Sequence, residues 1–253
     1  MSSDEYLRGI LANIRHPTGG VGPGGQIRTA FLPVLSEWAG TQLVEVALSG
    51  SYAKSTAIVG GSDVDLFISL KSDTTQTLKQ IYLSLGTRME AKGFAVRKQS
   101  VSINVQYGNH SVDLVPGKKQ TPFTTDHSIF VSRLDTWTKT NIGTHITYVV
   151  NSGRTDEICI LKRWRALHGL EFPSFALELA VVRALAGRNR GQLANNVMAS
   201  LVFLRDSFVS AALTDPANGS NNVAAELTYP EKLAIATAAH VSSGKQYWRE
   251  IVW

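Results

Sequence analysis

The stretch that decides the fold begins at Ser49. Residues 49–68 read Ser-Gly-Ser-Tyr-Ala-Lys-Ser-Thr-Ala-Ile-Val-Gly-Gly-Ser-Asp-Val-Asp-Leu-Phe-Ile, which is a Gly-Ser turn followed by two aspartates at the start of an apolar run. A third aspartate, Asp113, lies within a second short apolar run, His-Ser-Val-Asp-Leu-Val-Pro at 110–116. The turn and the three carboxylates determine most of what the sequence predicts.

The aspartates at 63 and 65 are predicted to share one face of a β-strand. Residues i and i+2 of a strand project from the same face, so Asp63 and Asp65 should point the same way while Val64 and Leu66 pack behind them. Neighbouring carboxylates repel each other unless cations neutralise them, and Mg²⁺ or Mn²⁺ does so with oxygen ligands. With Asp113 on a neighbouring strand, the set predicts two ions about 3.5 to 4 Å apart and nucleotidyl transfer.

The Gly-Ser turn is predicted to bind phosphate. Gly50 has no side chain, so backbone amides can approach phosphate oxygens, and Ser51 adds a hydroxyl donor at the same turn. Each feature alone has an ordinary structural alternative, since Gly-Ser is a common turn, Asp-x-Asp a common capping or loop pair, and Asp113 a solvated strand end. The combination of the turn with three carboxylates in apolar runs favours the functional interpretation.

A glycine-rich stretch at 16–25 is predicted to be a mobile connection between two helices. It lacks the Gly-Lys-Ser/Thr ending of a P-loop and follows a helix rather than a strand, so it does not predict a phosphate site.

Composition indicates a water-soluble protein with an anionic partner. The 253 residues carry 25 Lys and Arg against 20 Asp and Glu, a net charge of +5, which suits a nucleotide or nucleic acid. No apolar stretch approaches the roughly 20 residues of a membrane span. The N-terminal Met-Ser-Ser-Asp-Glu-Tyr has neither the basic leader nor the apolar region of an export signal, so a cytoplasmic location without membrane contact is expected. The single Cys159 excludes an intrachain disulfide and is predicted to be buried, and scattered histidines argue against a zinc site.

Periodicity divides the chain into a strand-rich first part and a helical second part. This pattern predicts an α+β protein with a catalytic lobe at 1–150, including the N-terminal helices, and a helical lobe at 151–253. The predicted elements are helices at 4–14, 26–39, 75–91, 154–168, 174–187, 190–212 and 229–243, strands at 44–48 and 64–70, a strand pair at 95–106 and a short strand at 112–115.

At this point the sequence resembles the polymerase-β-type nucleotidyltransferase superfamily, whose pattern is a Gly-Ser turn, an acidic-x-acidic strand and a third acidic strand residue. Within it, the chain is similar to the bacterial cGAS/DncV-like nucleotidyltransferases (CD-NTases), which are related to oligoadenylate synthetases and archaeal CCA-adding enzymes. The resemblance spans 43–240. It implies a two-lobed fold, with a mixed β-sheet catalytic lobe, a helical lobe and the active site in the cleft between them. The further segments that carry it are 112–116, 137–145, 161–178 and 215–224.

The resemblance also implies roles for individual residues. Asp63, Asp65 and Asp113 would bind metal, with Asp113 best placed to activate the attacking hydroxyl, while Gly50 and Ser51 would hold the triphosphate. Lys162 and Ser174 match residues of the helical lobe that reach the phosphates in such enzymes.

Several of these residues have competing structural interpretations. Lys162 lies at the border of an apolar helical stripe and could be a surface lysine, and Ser174 could cap the helix that follows Pro173. Tyr52 and Trp137 are candidates for base stacking or for the core. Asn222 could face the cleft, or Asp215 and Asn222 could only tie loops together.

The leading functional hypothesis is a metal-dependent enzyme that joins NTPs or dNTPs into a cyclic or linear oligonucleotide signal in bacterial antiphage defence. A downstream effector would sense the product. The alternatives are a template-independent RNA- or tRNA-tailing enzyme, a protein-nucleotidylating transferase, and the nucleotide-binding regulatory half of a toxin pair. Clustered carboxylates disfavour a mere binder, and the chain length leaves little room for tRNA-gripping regions.

Overall fold

The computed structural model describes residues 2–17, 22–61 and 63–253. The chain forms two compact units, each built from separated segments. We call them the sheet unit (Pro17–Ala53 and Asp63–Ile146) and the helical unit (Met1–His16, Lys54–Ser62 and Thr147–Trp253).

Two segments that the sequence analysis assigned to the first lobe, 1–16 and 54–62, therefore group with the helices of the second unit. The functional division at residue 150 stays a prediction.

The strands of the sheet unit form one mixed sheet. Among the described residues the order is β1-β2-β5-β4-β3, with β6 pairing with β5 and β7 with β6. The pair β2 and β5 is parallel, and the other pairs are antiparallel. The strands are β1 (Leu43–Leu48), β2 (Val64–Leu70), β3 (Val96–Lys98), β4 (Ile103–Tyr107), β5 (His110–Lys119), β6 (His127–Val131) and β7 (Thr136–Thr140).

The helices of the sheet unit are α2 (Pro23–Ala39), α3 (Gly50–Ala53) and α4 (Leu78–Ala91). Helix α4 begins at Leu78 because Thr77 caps it: Gln80 N donates to Thr77 Oγ1 at 3.2 Å, and Thr77 N donates to Gln80 Oε1 at 2.9 Å.

Helix α2 begins three residues earlier than predicted, with proline in its first turn. The predicted mobile connection at 16–25 is therefore wrong for 23–25, and its residues 18–21 lie outside the described residues.

The helical unit has its own apolar core, to which the N-terminal helix contributes Leu7 and Leu11. Asp4 of that helix accepts hydrogen bonds from the backbone N–H groups of Leu193 (3.2 Å) and Ala194 (2.8 Å), so it caps a helix about 190 residues away in sequence. The elements are α1 (Ser3–Ile14), α5 (Ile142–Ser152, which starts within the sheet unit), α6 (Thr155–Leu167), α7 (Ser174–Ala184), α8 (Leu193–Asp206), α9 (Tyr229–Ser243), β8 (Thr214–Asp215) and β9 (Asn218–Asn222).

The predicted α+β class is confirmed, and the differences lie in individual elements. Strands β6 to β9 and helix α5 were not predicted. Two of them lack apolar alternation, since β7 reads Thr-Trp-Thr-Lys-Thr and β9 reads Asn-Gly-Ser-Asn-Asn. Cys159 is fully buried, as predicted, and burial raises the pKa of its thiol. Within the described residues, no helix has the length and apolarity that a membrane crossing requires.

Packing in the sheet unit predicts the effect of adding one methyl group at Gly117. A Cβ there would overlap the ring of Phe67, whose Cε2 lies 3.1 Å away. Gly117→Ala should lower the free energy of unfolding by about 1 to 3 kcal/mol, measured by urea unfolding. Gly9→Ala is the control, since that helical position has no atom within 4 Å and should gain about 0.5 to 1 kcal/mol. Equal midpoints for Gly117→Ala and the unmodified protein would contradict this packing.

Candidate active site

The carboxylates of the two parallel strands lie directly opposite each other. In the β2–β5 register, Asp65 pairs with Asp113, and adjacent strands are about 4.8 Å apart. The residues on either side are apolar and fully buried: Val64, Leu66, Val112 and Leu114. Because these side chains fill the core on one face, both aspartates must project from the other.

Asp63 lies one residue before β2 and is exposed, so the prediction that it belongs to the strand is wrong in that detail. Its charge still acts on the same site. Burial raises the pKa of Asp113, and the negative charge of Asp63 raises it further, against an opposing hydrogen bond from Asn104. Burial and the same Asp63 charge also raise the pKa of Tyr52.

The predicted Gly-Ser turn lies beside Asp65. The backbone N–H of Ser49 donates to the carbonyl oxygen of Asp65 at 2.9 Å. Gly50 has a φ of 54°, and a Cβ at this position would overlap Oδ2 of the Asp65 carboxylate. Glycine is therefore required here both by backbone conformation and by the carboxylate. Ser51 is buried next to it, and the phosphate-binding roles of Gly50 and Ser51 stay predictions.

Asn104 is a site residue that the sequence analysis missed. It is 3% exposed and lies on β4 directly opposite Asp113. Its side-chain Nδ2 donates to Asp113 Oδ1 at 2.7 Å and to Ser111 Oγ at 2.8 Å. A polar residue between Ile103 and Val105, both fully buried, was the available signal, since it marks the opposite face of an apolar strand.

The donor set suits a hard cation. It consists of carboxylate oxygens, the ligands that Mg²⁺ and Mn²⁺ prefer. Burial is the main cause of the raised pKa of Asp113, and a cation would offset the smaller contribution from the negative charge of Asp63. In the part of the chain that is described, no three His, Cys, Asp or Glu side chains are arranged so that they could hold a metal ion. Binding of two ions by Asp63, Asp65 and Asp113 therefore stays a prediction.

Lys162 is fully buried in the helical unit, so the interpretation as a surface lysine is wrong. Its Nζ donates to Glu178 Oε1 at 2.7 Å, to Thr56 Oγ1 at 3.0 Å and to the carbonyl oxygen of Thr56 at 3.2 Å. Lys54 donates to the other oxygen of Glu178 at 2.5 Å and lies 4.8 Å from the centroid of the Phe175 ring. The phosphate-binding role of Lys162 stays a prediction.

Glu178 is the centre of this buried cluster. Burial alone would raise its pKa, but the positive charges of Lys162 and Lys54 and their hydrogen bonds outweigh burial and lower the pKa to about 2. Burial lowers the pKa of Lys162, against the attraction of Glu178. The sequence analysis included Glu178 only as the last residue of the segment 161–178, and it assigned no role to Lys54, which follows the Gly-Ser turn.

Ser174 is the first residue of α7, and its Oγ accepts a hydrogen bond from Arg165 Nη1 at 3.1 Å. No side-chain capping bond is present at this helix start, so the capping interpretation of Ser174 is wrong. Its contact with phosphate stays a prediction.

The remaining candidates divide between core and surface. Tyr52 is buried, which favours its core interpretation, whereas Trp137 on β7 is 57% exposed. Asn222 Oδ1 accepts from the backbone of Leu213 (2.8 Å) and Ala224 (3.1 Å). Asp215 accepts from Ala217 N at 2.8 Å. Both residues tie loops together.

Comparison with known families agrees with this geometry. Residues 31–119 match the family model described as a nucleotidyltransferase domain, and this segment includes Gly50, Asp65, Asn104 and Asp113. This match confirms the predicted enzyme class, a nucleotidyltransferase. Among curated proteins, none matches the chain.

Solved structures that resemble the chain extend over nearly its whole length. The E. coli MS115-1 CdnC structure with ATP has a TM-score of 0.75 at 20% identity, covering 96% of this chain and 90% of that one. The Bradyrhizobium diazoefficiens CD-NTase CdnG in complex with GTP has a TM-score of 0.77 at 13% identity, with coverages of 96% and 90%. The Cid1 poly(U) polymerase, as an H336N mutant bound to MgATP, has a TM-score of 0.68 at 14% identity, with coverages of 98% and 97%. These likenesses establish the fold and confirm the predicted resemblance to CD-NTases.

The contact between Gly50 and Asp65 predicts a steric effect separate from backbone strain. Gly60 also has a positive φ, 71°, but a Cβ there meets no atom within 4 Å. Gly60→Ala should therefore cost only the left-handed backbone penalty of about 1 to 2 kcal/mol. Gly50→Ala should cost at least about 1 kcal/mol more and displace the Asp65 carboxylate, as measured by urea unfolding and a crystal structure of the variant. If Gly50→Ala and Gly60→Ala lost the same free energy of unfolding and the Asp65 carboxylate did not move, the close contact between Gly50 and Asp65 would be refuted.

The Glu178 cluster predicts a pH-dependent contribution to stability. Glu178→Gln should lower the free energy of unfolding at pH 7 by about 3 to 5 kcal/mol, because it leaves two buried ammonium groups without their carboxylate. The folded-state pKa is about 2, below the ordinary value of 4.5. The difference between the two proteins should therefore be complete above pH 4.5 and shrink as pH falls toward 2.

Urea unfolding from pH 7 down to pH 3 measures this difference. Glu90→Gln, on an exposed position of α4, is the control and should follow the unmodified protein at every pH. A constant difference between Glu178→Gln and the unmodified protein across this range would contradict the assigned charge state of Glu178.

Proposed function

We propose that the chain is a metal-dependent nucleotidyltransferase that joins nucleoside triphosphates, ribo or deoxy, into a cyclic or linear oligonucleotide signal. The observation that carries this proposal is the in-register pair Asp65 and Asp113 beside the Gly50 turn. It places two carboxylates and a side-chain-free backbone segment at one end of β2.

In this proposal Asp63, Asp65 and Asp113 hold Mg²⁺ or Mn²⁺. Two bound ions would supply charge stabilisation for the triphosphate and would lower the pKa of the attacking hydroxyl. Asp113 accepts the proton of that hydroxyl, a role that suits a carboxylate whose pKa is raised by burial. The hydroxyl oxygen bonds to the α-phosphorus, the bond from that phosphorus to the β-phosphate oxygen breaks, and pyrophosphate leaves.

Gly50 and Ser51 hold the triphosphate in this proposal. Gly50 keeps the space beside Asp65 free of side-chain atoms, so backbone amides of the turn can reach phosphate oxygens. Lys162 and Ser174 are assigned to the phosphates by family resemblance alone, and Glu178 holds the ammonium group of Lys162 in place.

Synthesis of an oligonucleotide signal is supported by likeness to the Elizabethkingia meningoseptica CdnE cyclic dinucleotide synthase, with a TM-score of 0.75 at 14% identity. The chain also resembles CdnC and CdnG along 90% of their lengths, and those structures contain ATP and GTP respectively. From the resemblance of the sequence to CD-NTases we further propose a role in antiphage defence, with a downstream effector that senses the product. A second candidate is untemplated RNA tailing, favoured by the likeness to Cid1 poly(U) polymerase over 97% of its chain.

Incubation with each labelled NTP and dNTP, singly and in mixtures, with Mg²⁺ or Mn²⁺, tests the proposal. Short cyclic or linear oligonucleotides identified by mass spectrometry would support a signal synthase. Product that appears only as extension of an added RNA would favour tailing. The absence of any product under all mixtures, together with absent Mn²⁺ binding, would overturn both.

Substitution of the three aspartates tests their proposed role as metal ligands. The double variant Asp63→Ala with Asp65→Ala, and separately Asp113→Asn, should abolish turnover because the metal ligands are lost. Thermal unfolding should show both variants folded, since fewer like charges crowd the site. Asp73→Ala, at an exposed position after β2, should keep the parent rate. Turnover by the double variant at the parent rate would show that the site lies elsewhere.

A further inference from the structure

The side-chain amide of Asn104 bridges two positions on the neighbouring strand. Asn104 lies directly opposite Asp113, and Ser111 is two residues earlier on the same face of β5. The Nδ2 group donates to Asp113 Oδ1 at 2.7 Å and to Ser111 Oγ at 2.8 Å. A primary amide has two N–H donors, and both are used by these bonds.

Using both donors fixes the amide plane, and the fixed amide holds one oxygen of the Asp113 carboxylate. Oδ1 of Asp113 is engaged by Asn104, so the rotation of the carboxylate about χ2 is restricted. Asn104 is itself 3% exposed, between the fully buried Ile103 and Val105. Burial of an amide costs free energy unless it is hydrogen-bonded, which keeps both bonds formed.

Strand pairing alone does not require this side chain. Strands β4 and β5 are already joined through five registered pairs, from Ile103 opposite Leu114 to Tyr107 opposite His110. An apolar residue of similar volume at position 104 would preserve these strand pairs, and it would be apolar like the neighbouring Ile103 and Val105. The amide therefore adds a donor aimed at the carboxylate rather than a connection between strands.

We propose that Asn104 is a positioning residue, which orients the Asp113 carboxylate for binding the divalent cation. This inference rests on the proposed function, since it concerns the same site. It assigns Asn104 no contact with substrate. Its effect reaches the reaction only through the orientation of Asp113.

The test measures Mn²⁺ binding directly, by electron paramagnetic resonance of the free ion, and turnover separately. Asn104→Ala should weaken Mn²⁺ binding and lower kcat, each by about 10- to 100-fold, the usual effect of removing a partner of a metal ligand. The KM for nucleotide should change less than about 3-fold, because Asn104 holds no part of the triphosphate. Asn104→Leu keeps the volume of the side chain but lacks a donor, so it should show the same losses. It serves as the test if the alanine variant folds poorly.

Two matched controls separate orientation from structure. Gln106 lies on the same strand, two residues after Asn104, at an exposed position. Gln106→Ala should therefore leave Mn²⁺ binding unchanged. Ser111→Ala removes only the second bond of the amide and should have a smaller effect than Asn104→Ala.

Mn²⁺ binding by Asn104→Ala and Asn104→Leu equal to that of Gln106→Ala would overturn the inference while leaving the proposed function intact. An unmodified protein that binds no Mn²⁺ would overturn the proposed function and the inference with it. Weaker Mn²⁺ binding by both Asn104 variants, with thermal unfolding unchanged, would establish the positioning role.

Discussion

The parallel pairing of β2 with β5 is the constraint on which the candidate site depends. A shift of one residue in this register would move every side chain of one strand to the opposite face, so Asp65 and Asp113 could not both leave the core. The shift is opposed by the fully buried Val64, Leu66, Val112 and Leu114, which would enter the site in their place. Apolar burial on one face of the sheet therefore determines the position of the charges on the other.

Gly50 and Asn104 each act on one of these two carboxylates. Gly50 does so because it has no side chain, and Asn104 because it supplies a hydrogen-bond donor. Gly50 leaves room for Oδ2 of Asp65, and Asn104 engages Oδ1 of Asp113. Glycine adopts the left-handed backbone at position 50 without the steric penalty of other residues, whereas burial of an amide and a carboxylate at the other end costs stability. Such costs are common at functional sites, where local geometry is held by the surrounding fold.

Sequence reasoning predicted what apolar alternation and short-range spacing encode. Strand β2 was predicted with its observed bounds. The helical spacing of apolar residues placed α4 to within three residues at its start, and the capping box of Thr77 and Gln80, which was not used, sets that start. The hairpin of β6 and β7 was missed, since its stability comes from pairing with β5 rather than from its own Ser- and Thr-rich sequence. Asn104 was missed for a related reason. Its role follows from a cross-strand register, which no spacing within one segment reveals.

Lys162 shows the limit of judging exposure from a helical stripe. Lys162 lies at the border of the apolar stripe of its helix, a position that suggested exposure. Its side chain is nevertheless fully buried, because Glu178 and Thr56 supply hydrogen-bond partners from other segments. Thr56 and Lys54 belong to the stretch that begins at Ser49, so this stretch contributes Gly50 to the sheet unit and two partners of Glu178 to the helical unit. The residues between the Gly-Ser turn and Asp63 are thus more than a spacer: four residues after Gly50, the chain enters a buried ionic cluster that fixes its path.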